Sequence, residues 1–377
     1  MIAITAGAAA VAVWLYLLFA RGGYWLEFTR PPAAAITAPS PPRTVAVIPA
    51  RNEAASIAQA IQSLLPQVDH IVLVDDGSHD GTAEAARAAG SEANLTVVAG
   101  APLPPGWTGK LWAVEQGVRR ASELAPEYLL LTDADIDHGA GSVKMLAARA
   151  ASEGYDLTSY MATLHCETFA EKALVPAFVY FFLSLYPPAW IRDGRRSAAG
   201  AAGGCLLIRR DALERIGGIA AIRGELIDDC ALARAVKRSG GRVWLGLGAA
   251  TRSLRVYESA ADMERMIART AFTQLRHSVW LLATTLAALA ATYWLGPVLV
   301  FAGSGAAAIL GGAAWLLMSI SYFPALRFYR RGMFWIPMLP LVAGFYAWST
   351  VHSAVLYWRG SGGMWKGRAQ AGGSISR

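Results

Sequence analysis

The chain has 377 residues, of which 55% are hydrophobic and 16% charged, and its formal net charge is +7. Because a soluble globular domain usually carries about 25% charged residues, this chain is short of solvating surface, and the apolar excess excludes disorder. The arginines lie beside apolar segments rather than on one basic face, which argues against nucleic acid as a partner. The three cysteines lack the spacing of a disulfide framework or zinc site, which favours a reducing cytosolic setting.

The first apolar run covers Ile2–Ala20 and is followed by Arg21 and Arg30. A secretory signal peptide has its positive charge before the apolar run. Here the charge follows, and the positive-inside rule then places the next segment in the cytoplasm. We therefore predict a non-cleaved transmembrane anchor over residues 1–21, with a buried or interfacial helix as the alternative. A Pro/Ala-rich linker, 22–42, follows it.

Residues 43–277 are predicted to form a cytoplasmic domain of alternating strands and helices. The predicted strands are 44–49, 71–74, 95–99 and 128–132, and the helices between them are 53–65, 82–89 and 111–124. Strands that are apolar throughout and separated by helices indicate an α/β fold with a mostly parallel sheet. Ligands of such sheets bind beyond the carboxyl ends of the strands, where the acidic pairs of this domain are expected.

Two of these strands are followed directly by carboxylates. Asp133 and Asp135, one residue apart, are suited to holding Mg²⁺ or Mn²⁺ against a diphosphate, although an isolated triplet of this kind is more often a turn or a helix cap. Asp75 and Asp76 can accept hydrogen bonds from a nucleobase or a ribose, or can cap the helix that follows.

Two further stretches precede helices and are suited to a nucleotide. Pro49 and Glu53 frame the turn after the first strand, where Glu53 favours the positive end of a helix and could also face a nucleotide. Lys110 closes the loop 106–110, which suits a phosphate or a sugar, although its spacing is not that of a Walker A loop.

A second acidic pair, Asp228 and Asp229, lies at the head of a predicted helix. Paired carboxylates in apolar surroundings can separate in pKa and leave one as a general base, and helix capping is the equally weighted alternative. The preceding Gly203 and Gly204 allow a backbone to approach a ligand closely. Cys205, which follows them, has the character of a small core residue rather than a nucleophile.

The remaining segments are apolar or basic. Residues 173–191 are aromatic and interrupted by prolines, which fits an interfacial helix or a packed core helix. Arginines in 265–276 share helical faces and can neutralise a diphosphate or contact lipid headgroups. The run 279–323 is long enough for two spans, broken near 296–297 or 303–305, and 333–357 is a third apolar run. Counting spans places the following tail, 359–377, outside, whereas its basic residues favour the inside; the prolines at 337 and 340 allow a re-entrant segment.

Taken in order, these motifs resemble those of family 2 glycosyltransferases, and most of all the hopene-associated membrane glycosyltransferases of bacterial hopanoid gene clusters. The resemblance is carried by 49–53, 75–78, 133–135, 203–205 and 228–229, with closer matches over 104–114, 224–238, 268–278 and 365–368. One motif departs from the family pattern, because the stretch 274–277 lacks its tryptophan.

The resemblance implies a nucleotide-diphosphosugar-binding domain of the GT-A type, with transmembrane helices at both ends. It also implies metal-dependent, inverting transfer of a sugar from a donor, expected to be UDP-linked, to a membrane lipid. The expected site has Asp229 as the general base; Pro49, Glu53, Asp75, Asp76, Lys110 and Asp133 at the nucleotide-sugar; Asp133 and Asp135 at a Mg²⁺ or Mn²⁺ ion; Gly203, Gly204, Cys205 and Asp228 at the acceptor; and Arg269, Gln274 and Arg276 at the diphosphate.

We therefore expect a multi-pass protein of the plasma membrane with a cytoplasmic catalytic domain at 43–277 and a C-terminal transmembrane region at 278–358. Two other functions compete with this hypothesis. One is another metal-dependent nucleotide-diphosphate enzyme, such as a membrane nucleotidyltransferase. The other is a non-catalytic membrane scaffold that retains the fold.

Overall fold

The structure is a computed structural model that describes residues 1–30 and 42–362 and the backbone of 364–365 and 368–369. Most of the predicted linker 22–42, and nearly all of the predicted polar tail beyond residue 362, therefore lie outside the described residues. Two compact units divide the chain. One contains 1–30, 166–189 and 256–362, and the other contains 31–165, 190–255 and 363–377.

The helices and strands are numbered in chain order. The α-helices are α1 (Ile2–Leu15), α2 (Ile57–Leu64), α3 (Thr82–Ala89), α4 (Gly109–Ser122), α5 (Ser142–Glu153), α6 (Phe169–Leu185), α7 (Pro188–Arg192), α8 (Arg210–Arg215), α9 (Asp228–Arg238), α10 (Ala260–Ala268), α11 (Ala271–Gln274), α12 (Val279–Leu289), α13 (Leu295–Ala302), α14 (Ala306–Phe328) and α15 (Leu339–Trp358). The strands are β1 (Thr44–Ala50), β2 (His70–Asp75), β3 (Leu95–Ala99), β4 (Tyr128–Thr132), β5 (Ile136–His138), β6 (Leu157–Thr163), β7 (Cys205–Arg209), β8 (Val243–Ser253), β9 (Met364–Trp365) and β10 (Arg368–Ala369).

The second unit is built on an eight-stranded sheet in the order β3-β2-β1-β4-β7-β6-β8-β5. Strands β3, β2, β1 and β4 are parallel neighbours, as the sequence predicted, whereas β7 runs antiparallel between β4 and β6. All seven residues of β1 are buried, since helices cover both faces of a parallel sheet. The predicted α/β fold is confirmed.

Strand register brings several loops to one edge of this sheet. Ala50 pairs with Asp75, so the parallel strands β1 and β2 end side by side. Thr132, at the end of β4, pairs with Cys205, at the start of β7. Because β7 is antiparallel, it begins where β4 ends, and the segment that precedes β7 therefore lies beside Asp133.

The other unit consists mainly of apolar helices. Within the described residues, five helical segments are long and apolar enough to cross a membrane: Ile2–Ala20, Phe169–Arg192, Val279–Ala302, Ala306–Phe328 and Met333–Trp358. The run 279–323 breaks at 303–305, one of the two places that the sequence predicted. It continues through Pro297, which follows a π-helical turn, Ala290–Trp294. In this turn the carbonyl of Thr292 accepts a hydrogen bond from the indole of Trp14 at 2.9 Å.

The last apolar run, Met333–Trp358, packs on other helices of this unit near both of its ends. Its first residues reach inward, because the indole Nε1 atoms of Trp315 and Trp294 donate hydrogen bonds to the carbonyls of Pro337 and Pro340. The end of α15 then returns to the start of α12, where Ala354 packs with Leu282.

Candidate active site

The loops that follow β1 and β2 are held together by hydrogen bonds. The amide of Asn52 donates to the hydroxyl of Ser78 at 3.0 Å, and the amide of Glu53 donates to Thr82 Oγ1 at 2.8 Å. Asn52 has a positive φ of 52°, which this short polar residue tolerates better than most. The motif 51–54 therefore forms a turn on the 76–82 loop instead of the first turn of a helix.

Asp75 and Asp76 lie in this pair of loops and have different surroundings. The Asp75 carboxylate accepts hydrogen bonds from the amide and hydroxyl of Ser78, so it closes the turn that follows β2. Asp76 is buried, and its Oδ2 lies 3.6 Å from Arg51 Nη1. The guanidinium of Arg51 also donates to the carbonyl of Asp76. Sequence reasoning did not give Arg51 a part in this site.

Lys110 links the two acidic motifs of the domain. The side chain of Thr108 caps α4 by accepting from the amide of Leu111, which places Lys110 in the first turn of the helix. The ammonium lies 2.9 Å from Asp133 Oδ1 and 3.1 Å from Asp228 Oδ2. Burial alone would lower the pKa of Lys110, but the surrounding carboxylates raise it well above its ordinary value. Lys110 is therefore a charged bridge between them.

Asp229 is held by two backbone amides. Its Oδ2 accepts from Gly203 N–H at 2.8 Å and its Oδ1 accepts from Cys230 N–H at 2.6 Å. Burial and the charge of Asp228 raise the pKa of Asp229 to about 6, against the opposing effects of Lys110 and of the two amides. The carboxylate is thus fixed in orientation and is more basic than an ordinary aspartate.

Asp135 shares its surroundings with other carboxylates. Burial raises its pKa to about 6, and the charges of Asp133 and Glu53 add to this effect while Arg255 opposes it. Within the described residues no group of three His, Cys, Asp or Glu side chains forms a complete metal-binding set. Mg²⁺ and similar ions, however, are usually held by one or two carboxylates together with substrate phosphates. The pair Asp133 and Asp135 fits such an ion.

A small cavity of about 30 Å³ lies among the predicted site residues. Apolar side chains from α4, β4, α9 and the turn at 219–222 form most of its wall. Its polar wall is formed by Lys110, Thr132, Asp133, Gly203, Asp228 and Asp229, and Pro49 also lines it. Part of the nucleotide-side and acceptor-side predictions thus meet around one space, which is large enough for a water molecule. Glu53, Asp75, Asp76 and Gly204 do not line it.

The other predicted residues lie elsewhere. Cys205 is fully buried on β7, and burial raises the pKa of its thiol to about 12, as expected for a core residue. Arg269, Gln274 and Arg276 belong to the helical unit. There Gln274 Nε2 donates to the hydroxyl of Tyr186 at 2.6 Å. Their role at the diphosphate stays a prediction.

Two supporting residues of this domain were missed because they have no motif of their own. His138 lies against Thr132, with its Nε2 at 2.8 Å from Thr132 Oγ1, and Thr132 in turn donates to the carbonyl of Gly204. Lys237 Nζ donates to backbone carbonyls of the segment before Gly203, including those of Ile191 and Ala198, both at 2.7 Å. The contacts of Thr132 with Gly204 and of Lys237 with Ile191 join residues far apart in sequence.

Comparison with known proteins gives the class of this domain. Residues 45–217 match the family model described as Glycosyl transferase family 2. The chain carries a family 2 glycosyltransferase domain. This match confirms the predicted glycosyltransferase and its GT-A-like α/β domain, and ends before Asp228 and Asp229.

Several solved structures are similar to this glycosyltransferase. Glucosyl-3-phosphoglycerate synthase from Mycobacterium tuberculosis in complex with phosphoglyceric acid has a TM-score of 0.42 and 20% identity, over 66% of this chain and 85% of that one. The same enzyme in complex with Mn²⁺ and uridine-diphosphate-glucose has a TM-score of 0.41 and 20% identity, over 66% and 84%. No curated protein matches the sequence.

Proposed function

We propose that this glycosyltransferase moves a sugar, with inversion, from a nucleotide-diphosphate sugar to a hydroxyl group of a membrane lipid. The donor is UDP-linked, and the acceptor is a lipid of the hopanoid or polyprenyl type. The observation that carries the proposal is the position of Asp229. This carboxylate of raised pKa is fixed by two amides and lines one cavity with Lys110 and Asp133.

The chain's own groups supply most of the chemistry. Asp229 takes the proton of the acceptor hydroxyl as that oxygen bonds to the anomeric carbon. The bond from this carbon to the diphosphate oxygen breaks, and its electron pair leaves with the nucleotide. Asp76 and Glu53, with Asp75 beside them, hold the nucleoside. We assign Arg269, Gln274 and Arg276 to the diphosphate on the sequence resemblance.

A divalent cation belongs to this proposal. Asp133 and Asp135 would hold it, because both are carboxylates and their mutual repulsion is relieved by a positive ion. When bound, the ion neutralises charge on the leaving diphosphate. Gly203, Gly204 and Asp228 then form the acceptor side. The amide of Gly203 bonds to Asp229, and because glycine has no side chain, the acceptor hydroxyl can lie against the backbone there.

A lipid acceptor is supported by the amount of apolar helix in the chain. One anchor would be enough to hold a catalytic domain at a membrane, yet five helices in the described part of the chain have the length and composition to span one. The basic residues Arg21 and Arg30 follow the first of these helices, and Arg327 lies in the last turn of α14. From the positive-inside rule we infer that these ends face the cytoplasm, and that the catalytic domain lies on the cytoplasmic side of a plasma membrane.

The proposed function is tested with radiolabelled nucleotide-sugars and a membrane lipid extract. We expect the sugar label to enter the lipid fraction and free nucleoside diphosphate to be released, with the product identified by mass spectrometry. Release of pyrophosphate would instead indicate a nucleotidyltransferase. No metal-dependent binding of any nucleotide-sugar would indicate a scaffold that retains only the fold.

The pH dependence of the reaction is a further prediction. Asp229 accepts a proton only when ionised, and its pKa is raised to about 6. We therefore expect kcat/KM to rise about tenfold per pH unit below pH 6 and to level off above it. The affinity for the nucleotide-sugar, measured over the same pH range, should show no such increase. A rate that stays constant down to pH 5, as for an ordinary aspartate with a pKa of about 3.9, would exclude Asp229 as the base.

The contact between the end of α15 and the segment before α12 predicts the side of the membrane on which α15 ends. Because Trp358 packs on Phe272, shortly before α12 begins, we expect Ser361 to lie on the cytoplasmic side with the catalytic domain. Ser304, between α13 and α14, should lie on the opposite side. The measurement is labelling of Ser361→Cys and Ser304→Cys in intact cells with a membrane-impermeant maleimide.

Labelling of Ser304→Cys alone is the expected result, and both variants should react after the cells are permeabilised. The native cysteines, Cys166, Cys205 and Cys230, are all buried and provide a low background. Labelling of Ser361→Cys in intact cells would show instead that the last run crosses the membrane completely.

A further inference from the structure

One positive charge is already present at the proposed metal site. The ammonium of Lys110 lies between Asp133 and Asp228, at 2.9 Å and 3.1 Å from their carboxylate oxygens. The Lys110 side chain is 19% exposed, and the Asp133 and Asp228 side chains are 37% and 23% exposed. Water therefore screens this arrangement only in part. Lys110 is the counter-ion of these two acids.

The same Asp133 is one of the two proposed ligands of the divalent cation. A cation bound to Asp133 would lie within a few ångströms of the Lys110 ammonium, and like charges at such a distance repel each other strongly where screening is incomplete. The Lys110 ammonium can stay paired with Asp228, whereas Asp133 would have to interact with both the ammonium and the ion. The lysine and the ion therefore compete for Asp133.

We propose that Lys110 makes the binding of the divalent cation and of the nucleotide diphosphate depend on each other; this inference rests on the proposed function. A diphosphate brings new negative charge, which gives the ammonium a partner other than Asp133. The ammonium then no longer competes with the ion for Asp133. When the ion binds without nucleotide, it has to compete with Lys110 for Asp133. Bound nucleotide removes that competition.

Thermodynamic linkage makes this proposal quantitative. If nucleotide raises the affinity for the ion by some factor, the ion must raise the affinity for nucleotide by the same factor. Direct attraction between ion and diphosphate contributes to this factor in any such enzyme. The part due to Lys110 is the part that disappears when the ammonium is removed.

The test uses the full-length protein with Lys110→Met, a change that removes the ammonium and keeps an unbranched side chain that is one atom shorter. Binding of Mn²⁺ alone is measured from the electron paramagnetic resonance signal of the free ion. Binding of radiolabelled UDP is measured by equilibrium dialysis with and without Mn²⁺. We expect Lys110→Met to bind Mn²⁺ alone more tightly, by on the order of tenfold, and to lose a comparable factor from the enhancement of UDP binding by Mn²⁺.

Two variants control for charge and folding. Lys144→Met removes an exposed lysine on α5 and should leave both quantities unchanged. Lys110→Arg keeps the charge and should bind Mn²⁺ alone as weakly as the parent protein does. If Lys110→Met does not fold, tighter Mn²⁺ binding by Lys110→Arg would by itself contradict the proposal.

The outcomes separate this inference from the proposed function. Unchanged Mn²⁺ affinity and unchanged enhancement in a folded Lys110→Met protein would overturn the role of Lys110 alone, while sugar transfer by the parent protein stands. Failure of the parent protein to bind Mn²⁺, with or without UDP, would overturn the metal site and this inference together.

Discussion

Asp229→Asn is expected to reduce sugar transfer by roughly 10²–10⁴-fold, the usual contribution of a general base. The amide has the same shape, and its oxygen can still accept a hydrogen bond from Gly203 N–H or from Cys230 N–H. It cannot take the proton of the acceptor hydroxyl. The KM for the nucleotide-sugar should change little, since Asp229 acts on the acceptor. Steady-state transfer of labelled sugar to lipid measures both quantities.

The matched control is Glu92→Gln, which makes the same acid-to-amide change at an exposed position of the same unit. It should transfer sugar at the parent rate. If Asp229→Asn retains more than about a tenth of the parent turnover, Asp229 is not the general base. The second acid of the pair, Asp228, would then be the next candidate.

Asp135→Asn is expected to have opposite effects on activity and stability. Turnover should fall by about 10²–10³-fold, the range seen when one group that stabilises transition-state charge is removed. Added Mn²⁺ should restore part of the activity, because Asp133 still offers one carboxylate. The melting temperature without metal should rise, since the substitution removes a half-buried negative charge that lies near Asp133 and Glu53.

The sign of the stability effect follows from the raised pKa of Asp135. The folded protein binds the proton of Asp135 more tightly than the unfolded chain does. The contribution of this group to stability is therefore greatest below the ordinary aspartate pKa of about 3.9, and it is lost as pH rises towards 6. Asp135→Asn should raise the melting temperature at pH 7 and have little effect at pH 3.5. A lower melting temperature of Asp135→Asn at pH 7 would contradict the repulsion between Asp135 and the carboxylates of Asp133 and Glu53.

The parallel part of the sheet was predictable from sequence because its signals are local. Strands β3 and β4 have the bounds that their apolar runs predicted, and α3 does as well. The helix predicted over 53–65 is α2, which begins only at Ile57. The amides of 52–54 donate hydrogen bonds to the neighbouring loop and are therefore not part of a helical turn. Apolar periodicity does not contain that information.

The candidate site was predictable in its residue types but not in its connections. Acids after buried strands could be recognised because parallel strands end together. The bridge from Asp133 through Lys110 to Asp228 joins residues that are far apart in sequence. The hydrogen bond from Gly203 to Asp229 requires an antiparallel strand, β7, that starts beside the end of β4. The pattern of apolar residues did not predict this reversal.

The sequence by itself determined the α/β class, the order of the acidic motifs and the apolar segments, since each depends on composition or short-range spacing. Only the tertiary structure decided which acid is held by backbone amides and which by a lysine. It also decided which helices the last apolar run, Met333–Trp358, packs against. The reason is physical: the pKa of a carboxylate depends on the charges and amides around it, and the path of a helix depends on its partners. Both are set by contacts between residues that the chain brings together only on folding.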